Sequence, residues 1–120
     1  VERKLVDYPM HAPLVRQIYD ALIHDHFEEL VRQGLAAPGT ASEYRTALRS
    51  CLCGEAVRPI PDEALMNGYV FEIGGHQSDG LSIEVPIFSE GGRSDAFMIL
   101  RVKKDNAAQP TLYLYDILVP

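Results

Sequence analysis

Four strand-like runs occupy the second half of this 120-residue chain, and only short links separate them. YVFEIG, LSIEVPIF, DAFMILRVK and TLYLYDILV follow one another across GGHQSDG, SEGGRS and KDNAAQP. A parallel neighbour needs a crossover of about a dozen residues or more. Links this short, rich in Gly, Ser, Asp and Pro, fit antiparallel hairpins instead. LSIEVPIF alternates, which sets Leu81, Ile83, Val85 and Ile87 on one face. DAFMILRVK and TLYLYDILV are apolar or aromatic on both faces, the pattern of central strands covered by helices on one side and by a partner on the other. Pro86 has no N–H for a ladder and marks a bulge or an edge.

The front half has helical spacing. From Pro13, suited to a first helical turn, Leu14, Val15, Ile18, Tyr19, Leu22 and Ile23 share a stripe. Phe27 and Val31 would leave that stripe if the helix ran straight, so a break is expected at HDHFEEL. Asp25 is the expected cap of a second short helix, with Glu28 as its reciprocal partner, Phe27, Leu30 and Val31 as its face and Gly34 at its end. Thr40 or Ser42 caps a further helix, EYRTALRSCLC, which buries Tyr44, Leu48 and Cys51 or Leu52 and stops at Gly54. RPIPDEALMNG, broken by Pro59, Pro61 and Gly68, holds at most a helical turn near DEAL.

These readings give an α+β domain over residues 1–120. Two or three N-terminal helices, one kinked, pack on a curved four-stranded antiparallel meander. The helical half covers about residues 13–54, a linker 55–68 and the sheet about 69–119. Neither half has a core of its own, so the linker is not a domain boundary.

Composition excludes several roles. A net charge of −6 lacks the basic footprint of a nucleic-acid binder, and Arg93, Arg101, Lys103 and Lys104 are too few to make one. The opening VERKLVDYPMHAP has no apolar segment of the secretory type, and no stretch is long enough to span a bilayer. Cys51 and Cys53 lie two apart, too close for an unstrained bridge, which suits a reducing cytoplasm.

Few residues suggest chemistry. His24 and His26 point about 200° apart on a continuous helix, so with His11 and His76 they read as surface or satisfied histidines; no metal or cofactor is expected. SEGGRSD lacks the G-K-[ST] and the following helix of a phosphate loop. It reads as a hairpin turn in which Gly91 and Gly92 supply positive φ and Ser89 and Ser94 bond to nearby backbone. Glu72 shares a face with Val70, Glu84 and Asp116 lie within strands, and Asp95 stands beside Arg93 at a strand entrance. On the concave side of a curved sheet, Asp95, Asp116, His26 and Tyr113 would be the candidates for general acid–base chemistry.

A kinked helix, a further helix and an antiparallel meander resemble the cone-shaped nuclear-transport-factor-2-like and cystatin-like folds, in which a sheet wraps a helix around a pocket. EGGRSDAFMILRV with LYLYDILV also resembles the C-terminal half of a family of small bacterial domains of uncharacterised function, with an E-E-G-R-S-D-L turn and a final D-D-I-H-V strand. FEELVRQG resembles that family's helical segment. Tyr115-Asp116 and Leu118 stand where the family has an acidic pair and a histidine, and this chain has no tryptophan.

Small size, acidity, the lack of a catalytic signature and the two-sided apolar sheet resemble cytosolic bacterial immunity proteins that neutralise a cognate toxin. The expected function is therefore binding rather than catalysis, with Glu84, Glu90, Arg93, Asp95 and Asp116 as the expected partner-binding residues. Ligand binding or small acid–base catalysis in a cone, and an accessory homodimeric domain, are the alternatives.

Overall fold

The computed structural model describes residues 3–73, 80–103 and 111–120. Most of the GGHQSDG link and all of KDNAAQP, with His76 and Lys104, lie outside the described residues.

Helix α1 (Ala12–Ile23) buries Val15, Ile18, Tyr19 and Leu22 of the expected stripe, while Leu14 and Ile23 are only partly covered. It stops where Asp25 takes φ 59°, a left-handed conformation that Asp tolerates better than most residues. Helix α2 (Phe27–Arg32) then starts at His26 without a side-chain cap bond. The expected Asp25 cap is not made, because both Asp25 and Glu28 turn their carboxylates to Arg45. Phe27 and Leu30 are buried, whereas Val31, expected on the same face, is exposed.

Helix α3 (Ala41–Cys51) begins with a full capping box: Glu43 N–H donates to the Thr40 hydroxyl at 3.2 Å, and Thr40 N–H donates to the Glu43 carboxylate at 2.8 Å. Its buried residues are Tyr44 and Leu48, with Leu52 at its end, while Cys51 is only partly covered. One short helix, α4 (Asp62–Met66), forms within the linker and buries Leu65.

The sheet is antiparallel throughout and has five strands in chain order, one more than expected: β1 (Arg3–Lys4), β2 (Tyr69–Ile73), β3 (Gly80–Ser89), β4 (Gly92–Lys103) and β5 (Thr111–Leu118). The extra strand pairs Arg3 with Val70 and Lys4 with Tyr69. Two residues are too short to show a period, so only tertiary pairing reveals it.

Ladder partners fix which residues share a face. Val70, Ile83 and Leu100 lie in register and face the helices, as do Val85 with Met98 and Val102 with Leu112. They join the buried residues of α1 to α4 in one contiguous core. The β5 edge is blunted: Leu114 N–H donates to the Leu35 carbonyl at 2.8 Å, and Ala37 N–H donates to the Leu114 carbonyl at 3.0 Å. The Tyr44 hydroxyl also lies 3.3 Å from the carbonyls of Leu114 and Tyr115.

The hairpin at SEGGRSD is a tight turn, with Ser89 opposite Gly92. Gly92 takes φ 103°, whereas Gly91 is not among the positive-φ residues, so one glycine supplies what two were expected to. The ladder slips beside it, between Pro86 and Phe88. Ser94 repairs the gap by donating to the Ile87 carbonyl at 2.6 Å and accepting from Ala96 N–H at 3.1 Å.

Candidate functional site: the outer face of the sheet

Helices cover one face of the meander, and most residues of the other stay partly open to solvent, Pro86 and Ile99 being buried. Tyr69, Glu84, Ile99 and Asp116 form one row across β2 to β5. Phe71, Ser82, Arg101 and Tyr113 form the next, and Pro86, Phe97 and Leu118 a third. Phe71 is 48% exposed, yet Ile99 is only 7% exposed although it lies outside the contiguous core. The carboxylate residues Glu84 and Asp116 sit directly opposite it on the flanking strands.

A bulge puts Asp116 there. Plain alternation along TLYLYDIL would place it with Leu112 and Leu114, facing the core. The ladder slips between Ile99 and Leu100, so Leu114 pairs with Leu100 and Asp116 with Ile99, leaving Tyr115 as the extra residue. Tyr113, Tyr115 and Asp116 therefore all face outward, and Ile117 recovers the core position. One Asp116 oxygen accepts from Ile117 N–H at 2.8 Å, which occupies part of the carboxylate locally.

Arg101 lies flat on this face, its guanidinium carbon 3.7 Å from the centre of the Tyr115 ring. Contact this close is a cation–π interaction of about 0.5–2 kcal/mol, depending on desolvation. The Arg101 Nε is buried and makes no hydrogen bond among the described residues. Arg93 similarly sits over Phe97 at 5.8 Å.

The expected partner-binding residues are thus divided. Glu84 and Asp116 come together about Ile99. Arg93 and Asp95 are exposed near the hairpin end of β4, and no ion pair joins them among the described residues. Glu90, at the hairpin tip, accepts from Ala56 N–H at 3.3 Å. Ile99, Tyr115 and Arg101 were not singled out from sequence as members of one surface. The usable signal was the apolar content of both faces of DAFMILRVK.

The acid–base candidates do not converge. Asp116 and Tyr113 are on the outer face, Asp95 is near the hairpin, and exposed His26 is at the break between α1 and α2. That break lays the His24 and His26 rings face to face, 5.7 Å between centroids, in a shallow cleft of about 250 Å³ with Asp20 and Glu29. A continuous helix would have held these imidazoles apart. Even so, no three metal-ligating side chains gather anywhere among the described residues. His11 is buried elsewhere, stacked at 6.4 Å on Tyr8.

No helix among the described residues is long and apolar enough to cross a membrane. Comparison of the chain with protein-family models, with curated proteins and with solved structures finds no match.

Proposed function

We propose that this chain is a protein-binding domain of the immunity type, which docks a basic surface of a cognate toxin on the outer face of its sheet. The observation that carries the reading is the placement of Ile99. It is an apolar residue buried outside the contiguous core, with Glu84 and Asp116 as its ladder partners, on the sheet face opposite the helices. An apolar centre with an acidic rim matches a partner that presents an apolar side chain ringed by Lys or Arg. The chain's net charge of −6 favours encounter with such a partner. The surrounding Tyr113, Tyr115, Phe97 and Phe71 are the aromatic types enriched at interfaces, and Arg101 has an unused buried donor among the described residues.

The same charges disfavour a homodimer through this face. An isologous interface centred on Ile99 would crowd Glu84 and Asp116 of two copies together. The likeness of EGGRSDAFMILRV and LYLYDILV to small bacterial domains supports the assignment only through their shared turn and strand.

The test is co-expression with the toxin encoded beside this gene. Protection of the cells is expected, and Glu84→Lys with Asp116→Lys should abolish it without lowering the unfolding midpoint. A gene without a toxin neighbour, or protection indifferent to both substitutions, would sink the reading.

A further inference from the structure

A second site lies where the linker meets the sheet. An open cleft of about 460 Å³ separates α4 from the strands, and its lining includes Lys4, Arg93, Glu63, Asn67, Tyr69 and Pro86. We propose that this cleft binds a small organic anion, a carboxylate or a phosphate monoester, between Lys4 and Arg93.

Three observations converge. First, two cations far apart in sequence are brought to one cleft in a protein of net charge −6. Lys4 comes from β1, opposite Tyr69, and Arg93 from the start of β4, opposite Phe88. Second, neither cation is in an ion pair among the described residues, whereas Arg3, Arg16, Arg32 and Arg45 all have carboxylate partners. No carboxylate pairs with Lys4 or Arg93 among the described residues, although Arg93 also lies over the Phe97 ring at 5.8 Å. Third, the cleft has firm walls. A Cβ on Gly68 would come within 3.0 Å of the Glu84 carbonyl oxygen, so the chain entering β2 from α4 rests directly on the β3 backbone.

The lining also restricts the ligand. A volume of about 460 Å³ lies within the range of small-molecule pockets. Tyr69 and Pro86 offer apolar surface to a carbon body, Asn67 offers an amide, and Glu63 offers an acceptor. An anion that also carries a hydroxyl or amine uses all of these, whereas bare inorganic phosphate uses only the cations. The arginine of SEGGRSD thus contributes a side chain to the cleft, although the glycines of that turn make no phosphate cradle.

The experiment is an amide-resolved NMR titration of the whole chain at constant ionic strength, with 4-hydroxybenzoate, phenyl phosphate, inorganic phosphate and the neutral 4-hydroxybenzyl alcohol as probes. Saturable shifts clustered at Asn67, Gly68, Tyr69 and Arg93 are expected with at least one of the two organic anions; which of them binds tells the carboxylate from the phosphate ester. Arg93→Met, and separately Lys4→Met, should weaken that binding about tenfold, as for one lost charge-assisted contact. Failure of both organic anions to saturate, equal binding of the neutral alcohol, or equal binding of inorganic phosphate would overturn the proposal. Because the probe comparison uses the unaltered protein, the result stands even if a variant fails to fold.

Discussion

The Tyr19 hydroxyl joins β3 to the linker: it accepts from Phe88 N–H at 2.9 Å and donates to the Arg58 carbonyl at 2.7 Å. Arg58 N–H in turn donates to the Phe88 carbonyl at 2.8 Å, so one buried phenol closes a small network between α1, the linker and the sheet. Tyr19→Phe keeps the ring and strands two backbone groups. A loss of about 1–3 kcal/mol is expected in urea denaturation, and an unchanged midpoint would show that water replaces the hydroxyl. Burial also pushes the Tyr19 phenol up to about 12. Its folded value exceeds its unfolded one, so its contribution is complete below a pH of about 10 and is lost as pH rises through the folded value. Burial raises Tyr44 as well, so absorbance at alkaline pH should show tyrosines ionising late, and Tyr19→Phe should remove part of that late absorbance.

His11 works in the opposite direction. It is buried against Tyr8, and burial lowers its pKa. The folded protein therefore resists protonating it, and stability is complete above the unfolded value of about 6.5 and declines as pH falls through the lower folded value. Thermal unfolding from pH 7.5 to 5 should show this decline, and His11→Phe should flatten it. An identical decline in the variant would assign the effect to other groups.

Arg45 holds the helical corner. It bonds Asp25 at 2.7 Å and both Glu28 oxygens at 2.7 and 2.9 Å, and lies 5.6 Å from the Phe27 ring centre. Its hydrogen bonds hold the Glu28 carboxyl below the usual carboxylate range. Arg32, by contrast, pairs with Glu29 on the solvent side of a single helix. Arg45→Met should lower the unfolding midpoint more than Arg32→Met, with the difference reduced in high salt. Equal midpoints for the two variants would show that the network adds nothing to an ordinary surface pair.

Local rules foretold the elements whose causes are local. Of the two expected caps Thr40 is the one used, four of the six residues of the α1 stripe are buried, and the SEGGRSD hairpin forms where its turn residues stand. Asp25 misled because its chain neighbours suggest a cap, while Arg45, twenty residues on, competes for its carboxylate. Asp116 was legible as a strand residue but not by face, since one inserted residue, Tyr115, reverses the alternation. The Lys4–Arg93 cleft left no mark in sequence because only sheet pairing brings its cations together.

Ile99 and its neighbour Leu100 separate binding from stability. Leu100 is fully buried within the core, so Leu100→Ala should cost about 2–5 kcal/mol, the lost transfer energy plus a cavity. Ile99 is almost as buried, but it lies outside the contiguous core on the outer face, where its surroundings can close over a smaller residue or admit water. Ile99→Ala should therefore cost less than Leu100→Ala in urea denaturation of the isolated chain. If the outer face docks a partner, the order reverses in a binding assay, because Ile99 occupies the centre of the interface and Leu100 never touches it. Equal destabilisation by both substitutions would mean that Ile99 belongs to the core after all and that the outer face has no apolar centre for a partner to dock on.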